Sequence, residues 1–153
     1  MESVNHAAIS LSDTELGARL KDAGLRSTGP RRAVLAVLAR GDHWNASDVF
    51  DAVSKDLEGT SLQAVYGVLA ALEEVGLARK IELPGHPAHY EYSHHDNHHH
   101  LVCTECGAIR DVPCAVGAAP CLSAEDDFGF AIRTAEVTYR GICGACQALQ
   151  AAA

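Results

Sequence analysis

Apolar positions recur at helical spacing through the first half of the chain, then at strand spacing. Leu16, Leu20 and Ala23 stand four and three residues apart, which puts them on one helix face. Ser12-Asp13-Thr14-Glu15 ahead of them is a capping-box sequence, and Gly24 follows as a stop. A second helix is predicted to open near Thr28, with Pro30 in its first turn, where a missing N–H does no harm. Val34, Leu35 and Leu38 form its apolar stripe, and Gly41 ends it. A third opens at Asn45 or Ser47 and carries Val49, Phe50 and Val53 inward. A fourth starts at Ser61, whose hydroxyl can cap it. Leu62, Val65, Tyr66, Leu69 and Leu72 are its expected core positions, before Gly76.

The period then shortens. Residues 77–83 and 88–92 are predicted strands, joined by the turn sequence Pro84-Gly85-His86-Pro87. Short helices followed by a hairpin are the order of a winged helix-turn-helix. Further on, residues 99–103 and 108–112 are expected strands flanking a tight turn, and 130–139 a third strand. Gly117 and Pro120 argue against a long helix in 113–129, leaving a short one around 123–128 as the option there. The expected fold class is α+β, an N-terminal winged helix-turn-helix domain followed by a small C-terminal α/β domain. The boundary falls at 83–87 or at the tail of the hairpin near 93–97. The latter gives domains of residues 1–92 and 93–153.

Charge complicates that picture. Twelve Lys and Arg against twenty Asp and Glu leave a net charge of −8 over 153 residues, an awkward balance for a DNA-binding protein. The cations of the first half are nevertheless grouped: Arg26, Arg31, Arg32 and Arg40, then Arg79 and Lys80. Local basic patches serve DNA binding even when the total is acidic. No run approaches the ~18 apolar residues of a membrane span, and MESVNHAAISL has no basic leader region. A soluble cytoplasmic protein without a membrane partner is expected.

The sharpest chemical signal is a pair of C-x-x-C turns, Cys103-Thr104-Glu105-Cys106 and Cys143-Gly144-Ala145-Cys146. Two such turns facing each other make a tetrahedral thiolate cage that suits zinc, with roughly 2.3 Å per Zn–S bond. The bland alternative is two unrelated cysteine pairs, one of them thioredoxin-like. Neither motif lies in a clear βαβ pattern, which counts against it. Just upstream, seven of the nine histidines fall within residues 86–100, interleaved with Glu91 and Asp96. Such a tract reads as metal chemistry. Its internal position among Tyr90 and Tyr92 argues against a tag.

At these residues the chain resembles the ferric uptake regulator superfamily over nearly its whole length. The matching motifs are Ala23-Gly24-Leu25-Arg26-Ser27-Thr28-Gly29-Pro30-Arg31, then His43, then Ser61-Leu62-Gln63-Ala64-Val65-Tyr66. Tyr90-Glu91, His98-His99-His100-Leu101-Val102-Cys103, Cys106-Gly107 and the closing Cys143 and Cys146 complete them. The resemblance implies a homodimeric, metal-dependent transcriptional regulator whose second domain dimerises. It implies that Cys103, Cys106, Cys143 and Cys146 hold a structural zinc. It also implies a regulatory site of His43, Glu91, His98, His100 and Asp111. That set of imidazoles and carboxylates is harder than four thiolates and suits Fe(II), Mn(II) or Zn(II). On a strand, His98 and His100 share one face and His99 takes the other. A metal binding all five would lock the two domains together and act as the switch.

Departures from the family pattern also inform. The recognition helix of the family usually reads Thr-Val-Tyr-Arg, and here it is Ala64-Val65-Tyr66-Gly67. Contact with a double-stranded operator then shifts to Ser61, Gln63 and Tyr66 on that helix, and to Arg26, Arg31 and Arg32. Ala135 stands where a second sensory site would need a histidine partner for His99. Glu91 is like the iron-uptake branch and Asp111 like the peroxide-sensing branch. The pair Cys114 and Cys121 resembles the FurA/CatR-type regulators of catalase-peroxidase genes. The expected function is therefore a repressor of palindromic A/T-rich operators that responds to iron and peroxide. Zinc or nickel sensing within the same family is the near alternative. A thiol oxidoreductase using a C-x-x-C pair or Cys114 and Cys121 is the distant one, and would need an accessible cysteine of low pKa. A metal store built on the histidine tract would leave the capped helices and Tyr66 unexplained.

Overall fold

The structure, a computed structural model, describes residues 8–94, 98–113, 126, 128–131 and 137–153. Cys114, Cys121, Ala135 and most of the expected short helix at 123–128 lie outside these residues. The chain divides into two compact units, the first ending at residue 95 and the second starting at 96.

The first unit contains helices α1 (Asp13–Asp22), α2 (Gly29–Ala39), α3 (Ala46–Val53) and α4 (Leu62–Glu74). It also contains strands β1 (Trp44–Asn45), β2 (Ala78–Ile81) and β3 (His89–Tyr92). The capping box forms as spelled: Ser12 N–H donates to Glu15 Oε2 at 2.7 Å, and Glu15 N–H donates to Ser12 Oγ at 3.3 Å. At the other end Gly24 takes φ +85°, open to glycine at no steric cost. Its N–H reaches Lys21 O and that of Leu25 reaches Leu20 O, a Schellman closure. The same pair of bonds ends α4 through Gly76 and Leu77.

Leu20, Leu35, Leu38, Val49, Leu69 and Leu72 form a fully buried core, closed on one side by Tyr90 and Tyr92 of β3. Each such aliphatic side chain contributes roughly 1.5–3 kcal/mol over leaving it exposed. Two expected core positions are not there. Leu62 is 38% exposed and Tyr66 47%. The buried stripe of α4 is Val65, Leu69 and Leu72, at i, i+4 and i+7. Leu62 stands on the terminal turn at the edge of that stripe, and Tyr66 is rotated past it toward solvent. Phe50 of α3 is half-buried against the core.

β2 and β3 form the expected hairpin, with Arg79 opposite Glu91 and Lys80 opposite Tyr90. β1 was not expected. It adds to the other edge of β3, giving the antiparallel order β1-β3-β2 with Trp44 opposite Tyr90.

The second unit contains β4 (His98–Cys103), β5 (Ile109–Pro113), β6 (Thr138–Gly141) and α5 (Gly144–Ala151). Its sheet order is β5-β4-β6, with β5 antiparallel and β6 parallel to β4. The third strand was expected over 130–139. It lies at 138–141, and Phe130 and Ala131 are outside it. Helix α5 was not expected at all, because its sequence has no apolar stripe: none of its residues is buried. Among the described residues no helix is long and apolar enough to cross a membrane.

Candidate metal centres

The second unit brings its four described cysteines together. Cys103 ends β4, Cys106 closes the turn before β5, Cys143 caps α5, and Cys146 sits in that helix's first turn. Local hydrogen bonds shape the first turn: Cys103 N–H donates to Ala108 O and Gly107 N–H to Cys103 O, both at 2.9 Å. Gly107 takes φ +74°, which lets the chain reverse behind Cys106. Thr104 N–H donates to Gly141 O at 2.8 Å and ties this turn to the end of β6.

The four Sγ atoms all lie within 4.8 Å of one another. Cys106 Sγ and Cys143 Sγ are 3.8 Å apart. A disulfide needs about 2.05 Å. A tetrahedron with Zn–S arms of roughly 2.3 Å has edges of about 3.8 Å, so the donor set fits zinc. Two of the thiols are drawn in opposite directions by their neighbours. Backbone N–H groups of Cys106, then Cys143, draw the Cys103 thiol down to about 6. Contacts with the Cys143 and then the Cys106 side chain push Cys146 up to about 12. A bound dication removes that conflict by favouring all four thiolates at once.

Each unit contributes N/O donors. In the first unit, pairing of Trp44 with Tyr90 carries the preceding residue, His43, alongside Glu91. His43 Nε2 lies 3.1 Å from Glu91 Oε2, and both side chains are buried. The loop holding His43 is pinned by Trp44, whose Nε1–H donates to Gly41 O at 2.8 Å. Arg79 joins from β2, its Nη1 3.4 Å from Glu91 Oε1. No motif in the sequence marks Arg79 as part of this site. A hairpin folded about Gly85 pairs residues equidistant from it, 79 with 91, so the signal was present in the turn.

In the second unit, His98 and His100 project from one face of β4, ring centroids 4.9 Å apart. Asp111 stands directly opposite His100 across β4 and β5. Its Oδ1 lies 3.3 Å from His100 Nε2 and 3.9 Å from His98 Nε2. All three are buried. His99 faces the other way, its ring edge-on to Tyr139. Two donors sharing one ion at right angles, on arms of roughly 2.1 Å, stand about 3.0 Å apart. The 3.1 and 3.3 Å separations are of that size, and the donors are of the kind Fe(II), Mn(II) and Zn(II) accept.

The residues read as DNA contacts all belong to the first unit. Ser61, Gln63 and Tyr66 are exposed on the opening turns of α4. Ser61 Oγ accepts from Ala64 N–H at 3.1 Å, so its cap is also its fixing point. Arg26 is exposed, and its carbonyl accepts from Arg31 Nη1 at 3.0 Å. Arg32 is more committed: Nε donates to Asp13 at 2.9 Å and Nη1 to both Ser27 oxygens at 3.0 Å. An open groove lined by Lys21, Arg26, Ser27, Thr28 and Arg32 runs past the start of α2. Lys21 stands apart from the grouped arginines in sequence; its place on the last turn of α1 is what brings it there.

The sequence profile described as the Ferric uptake regulator family matches residues 22–139. The chain is 50% identical over 128 residues to the transcriptional regulator FurA of Mycobacterium tuberculosis, covering 84% of this chain and 87% of that one. Among solved structures it is similar to the ferric uptake regulator of Pseudomonas aeruginosa with manganese, at TM-score 0.64 and 27% identity. That likeness covers 84% of this chain and 97% of the other. It is also similar to a zinc uptake regulator complexed with zinc and DNA, at TM-score 0.59 and 26% identity, over 93% and 99% of the two chains.

Proposed function

This chain belongs to the ferric uptake regulator family, and on that footing we propose that it is a metal-dependent dimeric transcriptional repressor of palindromic A/T-rich operators, responding to iron and peroxide. The observation that carries the reading is the segregation of donors. Four thiolates gather in one cluster, and imidazoles stand against carboxylates elsewhere, His43 with Glu91 and His100 with Asp111. Soft and hard sets serve different metals and different roles. Cys103, Cys106, Cys143 and Cys146 hold a structural zinc. His43 and Glu91 supply one half of a regulatory site; His98, His100 and Asp111 supply the other. Bound Fe(II) or Mn(II) provides a dication that neither half saturates alone, and Fe(II) adds reactivity toward peroxide. Residues that share one cation must come together, so loading favours one arrangement of the two units. Residues 1–92 read DNA, and residues 93–153 dimerise and bind metal. Sulfurs committed to zinc are not free nucleophiles, which favours a regulator over a thiol oxidoreductase. The cytoplasm, where thiols stay reduced, is the matching compartment.

The operator is read by α4 in the major groove, with Tyr66 and Gln63 against base edges or thymine methyls. Arg26 lies toward the minor groove and Arg31 and Arg32 toward phosphate. A likeness to a regulator solved with DNA supports the duplex as partner. Tyr66→Ala is expected to lower the ratio of operator to random-duplex affinity about tenfold or more, the size of one lost base contact. Arg31→Ala is expected to weaken all sequences alike and reduce the salt slope by about one. Fluorescence anisotropy across a salt series measures both, and unchanged values in the two variants would count against this placement.

Peroxide sensing has its own test. The imidazoles of His43 and His98 are expected to be the oxidised groups in the iron-loaded protein. Peptide mass spectrometry should show a gain of about 16 Da there, one oxygen, and none in the manganese form. A Cys114–Cys121 disulfide with intact histidines would move sensing to the thiols. No modification with operator binding retained would leave plain metal sensing.

A further inference from the structure

Beyond Gly29, which opens α2, two glycines sit in helix interiors of the first unit, Gly17 in α1 and Gly67 in α4. A glycine in a helix interior is destabilising relative to alanine, so each calls for a physical reason. Gly17 has one within the protein. A Cβ there would stand 3.1 Å from Ser27 Oγ, the hydroxyl that accepts from Arg32. Gly67 has none. A Cβ on it would meet nothing within 4 Å, and its φ is not positive. Helix packing and backbone conformation therefore both permit an ordinary side chain at 67.

The surroundings of Gly67 say where the reason lies. Gln63, Tyr66, Gly67 and Ala70 follow one another at i, i+3, i+4 and i+7, and all four are exposed. An outward helix face is ordinarily charged. Over these four residues it carries no charge; Glu73 and Glu74 follow on the same face only at the C-terminal end of α4. Tyr66 is also one of the large exposed apolar side chains of the unit.

We propose that Gly67 is a positioning residue for operator recognition. By lacking a Cβ where the family pattern has arginine, it lets the backbone of α4 lie closer against the duplex than a side chain at 67 allows, so that Tyr66 and Gln63 reach base edges. Glycine serves close backbone approach to a ligand in this way. The inference rests on the reading of α4 as the helix that enters the groove.

The test uses full-length protein loaded with Zn(II) and Mn(II), and a duplex selected from a random pool by the wild-type protein. Gly67→Ala is expected to raise the Tm by a few degrees while weakening the selected duplex about tenfold. Gly67→Leu should weaken it further. Affinity for random duplex, and its salt slope, should stay as in the wild type. A merely structural glycine would show the opposite: a lower Tm in Gly67→Ala and unchanged discrimination. Tyr66→Ala in the same assay separates the two levels of the argument. If Tyr66→Ala loses discrimination and Gly67→Ala keeps it, the close-approach role is overturned and the reading of α4 stands. If neither variant changes discrimination, both are overturned.

Discussion

Cys103→Ser is expected to release the structural zinc and unfold the second unit around it. The described core of that unit is small. Among the described residues the apolar core cluster lies wholly in the first unit, and in the second only Val102 and Cys103 are buried apolar residues. Helix α5 buries nothing, with Leu149 72% exposed. What ties α5 and β6 to the β4–β5 turn is the cysteine cluster, together with the Thr104–Gly141 hydrogen bond and the β4–β6 ladder. Apparent zinc binding in small tetrahedral sites is worth roughly 10–16 kcal/mol at neutral pH, and that free energy is folding free energy. Serine offers a poor ligand for a soft site. The variant should therefore lose its zinc by native mass spectrometry and its dimer by sedimentation. A stable zinc-free dimer would remove the zinc from the account of the fold.

The second large effect is expected from Asp111→Asn. The side chain keeps its shape and loses its charge, so packing changes little. Asp111 faces His100 in register and reaches both His100 and His98. As a buried carboxylate beside two imidazoles it is suited to balance a dication. A ligand-driven switch from 1:99 to 99:1 needs about 10⁴-fold differential affinity. Loss of this carboxylate is expected to remove on the order of 10²-fold of Mn(II) affinity, as calorimetry reads it. Operator binding should become nearly insensitive to Mn(II), while the zinc content stays at wild type. Wild-type Mn(II) affinity in the variant would take Asp111 out of the site.

What was legible in the chain follows from how local each feature is. The Ser12–Glu15 capping box, the glycine stops and the hairpin about Gly85 are all encoded within a few residues, and they form. The C-x-x-C spacing pointed to a four-cysteine cluster because each half is itself a turn. β1 escaped because two residues carry no period, yet it is β1 that places His43 beside Glu91. That pairing spans 48 positions of sequence, so only the family resemblance, and no local pattern, could suggest it. Helical spacing points Tyr66 to the core, as it does most aromatic residues, yet it is 47% exposed. The side of α4 it occupies depends on where α2 and α3 pack, which the stripe alone does not determine. α5 has helix-forming Ala, Gln and Leu but no buried face, so periodicity was silent there.

The central claim is that metal at the imidazole–carboxylate site, separate from zinc, controls DNA binding. The measurement is a titration of zinc-loaded wild-type protein with Mn(II) against the selected duplex, followed by anisotropy at fixed ionic strength. The account predicts a saturable gain of on the order of 10²-fold or more in affinity, reversed by a chelator that leaves the zinc in place. Equal affinity with and without Mn(II), or with and without Fe(II) under anaerobic conditions, would contradict it.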